Sequence, residues 1–370
     1  MIKTKDLLKI IPIILLVINY LSYTVFLNDS FKDISRGTSL LFVLLNIITI
    51  KSYSKISLMQ MACVIVALLF TLLNGIPSAN ILFLYLLGLS LLDSEEAIKS
   101  LHIMNCAILL VLIFLYTVGY VDLEEWHSSI HSERSARYTL GGINPNGLGF
   151  ITSSYIYTLF ICKDKIKYYN YIIVFGILIF NIFVTNSRSC VLSESLFLIL
   201  VVLYRRKVIN PERANLFFKT FVIFTFCFNI ALPFILSYFE EYNDLTSQRV
   251  EFLQYYLDNE GLYSFFFGGT EYDVDNSYMY ILYKCGFLNY LLFFMILKAT
   301  IDKLIVNKDF IGNSFIMSLL LSAYFENTLI SPEFISTILL FSIIINSTKR
   351  TVQLNPPSQF LYATESQMTI

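Results

Sequence analysis

Four arginines, Arg134, Arg137, Arg188 and Arg249, are spaced through segments otherwise poor in arginine. A guanidinium is a planar fork that keeps its charge at any pH and grips a phosphate through two parallel hydrogen bonds. Arg134 and Arg137 stand just ahead of Gly141-Gly-Ile-Asn-Pro-Asn-Gly-Leu-Gly149. Pro145 disfavours a helical conformation for Asn144 and predicts a broken or late-starting helix there. A helix start leaves N–H groups free and a positive dipole end pointing outward, which also suits phosphate. The plainer alternative is a solvated loop followed by an ordinary Pro/Gly helix start.

The remaining polar signals follow in order. Thr185-Asn-Ser-Arg-Ser189 is a turn between two apolar runs with Arg188 at its tip, either a phosphate contact or a solvated arginine. Arg249 opens a stretch with apolar residues at Phe252, Leu253, Tyr256 and Leu257, the spacing of a helix lying along a membrane surface. Phe267-Gly-Gly-Thr-Glu-Tyr-Asp-Val-Asp-Asn276 leads into another apolar run. Its Glu271, Asp273 and Asp275 are carboxylates able to accept a proton, and Asp275 has the simpler alternative role of helix N-cap. Glu194, Lys284 and Glu326 fall inside apolar runs, where an ionisable group costs roughly 2.5 kcal/mol or more to insert and so implies pairing or function.

These residues must be positioned by apolar elements. Hydrophobic residues make up 56% of the chain and charged residues 14%, with a mean hydropathy of +0.67. An average soluble domain carries roughly 25% charged residues, so the chain lacks polar surface for an aqueous globule. A crossing helix needs about 20 apolar residues. About twelve apolar runs occur, at 10–27, 38–50, 57–73, 80–92, 103–121, 142–162, 168–185, 190–204, 216–239, 276–297, 311–330 and 335–346; the second, fourth, eighth and twelfth are short and either extend into their flanks or are re-entrant or thin-bilayer spans. The expected fold is therefore all-α, a single polytopic transmembrane bundle over residues 1–370. The basic residues alternate: with a cytoplasmic N-terminus, 19 of the 26 Lys and Arg fall in cytoplasmic segments and both termini are cytoplasmic. Two external loops are then long, 122–141 and 240–275, and every cytoplasmic connection is short and basic, with no phosphate-binding loop for ATP. The six cysteines form no CxxC pair, and three histidines are scattered, so no metal site is expected.

Taken together, Arg137…Asn144-Pro145-Asn146, Ser187-Arg188, Arg249 and Gly268-Gly269…Asp275-Asn276-Ser277-Tyr278…Gly286 resemble the O-antigen polymerase and O-antigen ligase families of bacterial envelopes over roughly residues 130 to 335. The resemblance implies a GT-C-like bundle in a bacterial plasma (inner) membrane and a metal-independent, inverting glycosyl transfer without cofactors. Its implied partners are a polyprenyl-diphosphate-linked oligosaccharide, membrane lipid and a chain-length regulator protein, with no nucleic acid. Ligases typically carry a His before the Asn that closes the large loop. Asp275 stands there in this chain, which favours the polymerase over the ligase. A transporter of the same lipid-linked sugar is the alternative outside the enzymes, and the absence of an internal hydropathy repeat weakens it. Within the polymerase reading Arg188 and Arg249 are the expected diphosphate binders with catalytic roles, and Asp275 is the expected general base. Arg134, Arg137, Asn144, Asn146, Asn276, Glu271 and Asp273 are expected to contact substrate.

Overall fold

A computed structural model of the protein describes residues 94–125, 137–140, 143–162, 166–236, 266, 268, 276–326, 328–329 and 335–347. The first four expected spans lie outside the described residues. Among the described residues the chain forms α1 (Ser94–Thr117), β1 (Leu123–Glu125), β2 (Tyr138–Leu140), α2 (Pro145–Cys162) and α3 (Tyr168–Phe180). A π-helical turn (Asn181–Thr185) continues α3. There follow α4 (Arg188–Arg205), α5 (Pro211–Leu236), α6 (Ser277–Cys285), α7 (Phe287–Val306), α8 (Phe310–Ser322) and α9 (Ile335–Asn346). Among the described residues three helical stretches, Ile98–Thr117, Tyr168–Thr185 and Glu212–Ala231, are long and apolar enough to cross a membrane, while α8 and α9 are apolar but shorter.

The distribution of side chains fits a bundle whose solvent is hydrocarbon. Large apolar residues face outward, with Phe183 72% and Leu110 66% exposed, whereas Ser153, Ser154, Thr158, Asn181, Ser193 and Glu194 are completely buried. Between helices in lipid, small and polar residues allow close approach and interhelical hydrogen bonds. The hydroxyls of Ser153, Ser154 and Thr158 each donate to the carbonyl four residues earlier, which satisfies them inside α2.

Pairs of helices register through a few specific contacts. Cys162 Sγ donates to Ile98 O at 3.3 Å and His102 Nδ1 lies 3.1 Å from Thr158 Oγ1, so α1 and α2 run antiparallel. Ser193 Oγ donates to Ser318 O at 2.9 Å, and Tyr204 stacks on Phe310 at 4.1 Å between ring centres, so α4 and α8 also run antiparallel. On α5 and α7, Phe226 stacks on Tyr290, and near the far end of the same pair Lys219 meets Asp302 at 2.8 Å.

The fold departs from the sequence expectation at three places that bear on the site. The run 276–297 is two helices, because Gly286 has φ +86°, a conformation other residues rarely adopt. A Cβ on Gly268, itself at φ +79°, would lie 2.3 Å from the Lys284 carbonyl oxygen, so the Gly268 backbone packs directly against this break. Helix α8 ends at Ser322, and Glu326 lies in the turns beyond it rather than inside a span. Finally, the stem of the 122–141 loop is a strand pair, with Leu123 opposite Leu140, Glu124 opposite Thr139 and Glu125 opposite Tyr138. Strands of three residues are too short to register as an alternating pattern within an otherwise all-α sequence.

Candidate functional site

The starts of α2, α4 and α6 and the turn after α8 meet at one end of the bundle. Each start has a local cause. At α2 the Asn144 carbonyl accepts from Leu148 N at 3.0 Å and its Oδ1 accepts from Gly147 N at 2.6 Å. Pro145 occupies the first helical position, where a missing N–H leaves no bond unmade. At α4 the π-helical turn is followed by Asn186 at φ +44°, a left-handed conformation that asparagine tolerates. Ser187 is then extended, and Arg188 is the first residue of the helix rather than the tip of the turn. At α6 the Asn276 Oδ1 accepts from Tyr278 N at 2.9 Å and Met279 N at 3.1 Å. Asn276 is therefore the N-cap, which replaces the capping role considered for Asp275.

Side chains tie these starts together. Arg137, at the entry to β2, donates through Nε to Thr185 O at 3.3 Å, and its Nη2 donates to Asn146 Oδ1. Asn146 Nδ2 donates in turn to Glu326 Oε1 at 2.5 Å. The Asn146 carbonyl is approached by Cys190 Sγ at 3.6 Å, two residues along α4 from Arg188. Asn276 Nδ2 donates to Tyr324 O at 3.1 Å, and Ser277 Oγ donates to Glu326 O at 2.7 Å. Segments more than a hundred residues apart in sequence thus share one hydrogen-bonded layer.

Three of the expected site residues, Arg137, Asn146 and Asn276, are bonded into this layer, and Asn144 and Arg188 stand at the starts of α2 and α4 beside it. Arg188 is exposed, Arg137 and Asn146 are half-buried, and Asn276 is buried. The protein supplies partners to Asn144, Asn146 and Asn276, so their first service is to build the site. Arg134, Arg249, Glu271, Asp273 and Asp275 lie outside the described residues.

The ionisable residues expected inside spans separate into different roles. Glu194 sits about 9 Å along α4 from Arg188, at 1.5 Å per residue. Its Oε1 lies 2.5 Å from Ser153 Oγ and accepts from Asn181 Nδ2 at 2.7 Å, and Thr152 Oγ1 lies 2.9 Å from Asn181 Oδ1. This buried cluster pins α2, the π-helical turn and α4 to one another beneath the helix starts. Lys284 is the half-buried residue of the otherwise buried α6 and places its Nζ 4.9 Å from the Tyr280 ring centre. Glu326 joins the layer described above.

Contributors that the sequence reading gave no role include the Thr185 carbonyl and Asn181. Asn181 carried a signal, as an amide isolated within the apolar run 168–185, and Ser277 stood in the quoted motif without an assigned part. Among the described residues no three His, Cys, Asp or Glu side chains converge as a metal-binding group. The arrangement instead offers an exposed guanidinium at a helix start and a second one oriented by a carbonyl and an amide, a disposition suited to an anionic group. No family model, no curated protein and no solved structure matches the chain.

Proposed function

We propose that this protein polymerises oligosaccharide repeat units carried on a polyprenyl diphosphate at the outer face of a bacterial plasma membrane. The observation that carries the proposal is the meeting of Arg137, Asn146, Ser187-Arg188 and Asn276 at one end of the bundle. These are stations of the motif order that resembles the O-antigen polymerases. The opposite end, where α1 and α5 begin and α4 and α7 finish, carries Lys99, Arg205, Arg206, Lys207, Arg213 and Lys303. That asymmetry supports a cytoplasmic assignment for the basic end and an external one for the site.

In the proposed reaction a sugar hydroxyl of one lipid-linked repeat attacks the anomeric carbon of the growing chain. The bond from that carbon to the diphosphate oxygen breaks with inversion, the hydroxyl proton passes to a carboxylate, and polyprenyl diphosphate departs. Negative charge grows on the leaving diphosphate, and fixed cations aimed at it lower the barrier. Arg188 and Arg249 supply that charge, Arg137 assists, and Asp275 accepts the proton.

The test is purified protein incubated with lipid-linked repeat units. A ladder of polymer together with released polyprenyl diphosphate is the expected product. A deletion strain should correspondingly display single-repeat surface glycans. Loss of all lipid-core attachment in that strain would instead identify a ligase, and unchanged polysaccharide would remove the protein from this chemistry.

A further inference from the structure

Asn146 stands between a group that only donates hydrogen bonds and a group that only accepts them. Its Oδ1 faces Arg137 and its Nδ2 faces the Glu326 carboxylate at 2.5 Å. A guanidinium has no acceptor and a carboxylate no donor, so the amide satisfies both in one orientation alone. Flipping it would set its NH2 against the guanidinium and its oxygen against the carboxylate, which is repulsive on both sides.

Glu326 is itself held firmly. Its backbone N–H donates to Ser322 O at 3.1 Å, and its carbonyl accepts from Thr328 N at 2.9 Å and Ser277 Oγ at 2.7 Å. Ser277 Oγ in turn accepts from Leu329 N at 3.1 Å. The carboxylate is thus anchored to the α8 turn and the α6 start, the amide to the α2 start, and the guanidinium to Thr185 beside α4. Arg137 Nε on Thr185 O and Nη2 on Asn146 fix the plane of the guanidinium from two sides.

We infer that Glu326 is a positioning residue for Arg137, acting through the Asn146 amide rather than on the reacting atoms. The inference deepens the proposed function and rests on it, because it assigns Arg137 to the substrate diphosphate. Its signature is a suppression that only a polarised chain produces. In N146D the introduced carboxylate still accepts from Arg137 but sets its second oxygen against the Glu326 carboxylate. Adding E326Q turns that contact back into a hydrogen bond, now donated by the introduced amide.

The experiment compares wild type, N146D, E326Q and N146D/E326Q as purified full chains with two readouts. One is the polymerisation rate on lipid-linked repeat units. The other, without substrate, is the rate at which phenylglyoxal modifies Arg137, read by mass spectrometry of its peptide. N146D should lose on the order of 100-fold in rate, as expected for a misplaced catalytic-site group. Its Arg137 labelling should change several-fold. E326Q, which trades a charge-assisted bond for a neutral one, should fall only about threefold, roughly 0.65 kcal/mol. The double variant should return to the E326Q level in both readouts.

A loss of roughly 10²-fold or more for E326Q alone, with unchanged Arg137 labelling, would make Glu326 a proton-transfer group and overturn the inference. A double variant as impaired as N146D would overturn it too. Labelling that follows the predicted suppression while wild type makes no polymer would leave the positioning chain standing and reject the proposed function.

Discussion

A Cβ placed on Gly149 would lie 2.8 Å from Cys190 Sγ and 3.2 Å from Ser187 Cβ. Helices α2 and α4 therefore touch backbone to side chain just below their starts, where a larger residue has no room. The approach brings Cys190 to the Asn146 carbonyl and so holds the Ser187-Arg188 start of α4 against the start of α2. Small residues are the usual means of such contact between helices in lipid. G149A should destabilise the protein by about 1–3 kcal/mol through overpacking. It should also lower polymerisation more than an alanine elsewhere on α2. Combining it with C190A, which deletes the nearest atom, should recover part of the loss. A thermal midpoint in detergent that does not respond to G149A would show that the helices part freely at this point.

Asn276 bonds in two directions at once, capping α6 through Oδ1 and donating to Tyr324 O through Nδ2. Asp caps a helix about as well as Asn, so N276D leaves the cap and removes the donor. It also turns a carboxylate oxygen toward the Tyr324 carbonyl. The expected cost is about 1–3 kcal/mol, seen as a lower thermal midpoint. N276A loses both contacts and should fall further. If N276D melts with wild type, the bond between the α6 start and the α8 turn contributes nothing, and Asn276 is a cap alone.

The sequence resolved elements better than their joints. The run 335–346 coincides with α9, and 168–185 coincides with α3 plus its π-helical turn, because uninterrupted apolar stretches leave no alternative to a helix in lipid. The division of 276–297 escaped, since its glycine reads as tolerated within a helix until φ is known. The shift of Glu326 from span to turn escaped because hydropathy continues through Thr328-Leu-Ile330, past the last residue of α8. Of the site, Asn146 and Asn276 were legible as residue types at helix starts, Arg137 as an arginine just ahead of one, and Arg188 as an arginine in a turn between two apolar runs. The partners that orient them were not, because Thr185 acts through its carbonyl and Asn146 meets Glu326 across 180 positions. No local pattern carries information of that range.

For the arginines, R188A and R249A should each abolish polymer while the protein remains in the membrane at normal level. One departing diphosphate requires fixed cations, and Arg188 is exposed, so its loss takes nothing from the core. R188K and R249K should restore activity only in part, because an ammonium cannot make the two parallel bonds of a guanidinium. Surface polysaccharide on gels and immunoblots for the protein provide the measurement. Full-length polymer from both alanine variants would leave these residues as solvated surface arginines.

Orientation can be tested separately from chemistry. Reporter fusions at Lys165 and Arg206 should be active in the cytoplasm, and fusions near Asp258 should be active outside. The motive is the 19-of-26 bias of Lys and Arg toward one set of connections. A reversed pattern would put the Arg137–Asn146–Glu326 layer on the cytoplasmic face, away from the proposed substrate.

Asp275 immediately precedes the residue that caps α6, and because the cap is Asn276, exchanging Asp275 for Asn leaves that helix start complete. The substitution therefore separates proton transfer from stability more cleanly than is usual at a helix terminus. As the general base, D275N should lower turnover by about 10²- to 10⁴-fold with little change in thermal midpoint. D275E keeps a carboxylate on a longer arm and should retain a measurable fraction of the rate. The measurement is initial turnover of purified variants on lipid-linked repeat units, at equal concentrations of folded protein. Turnover by D275N equal to wild type would exclude Asp275 as the proton acceptor and transfer that role to Glu271 or Asp273, each testable by the same exchange.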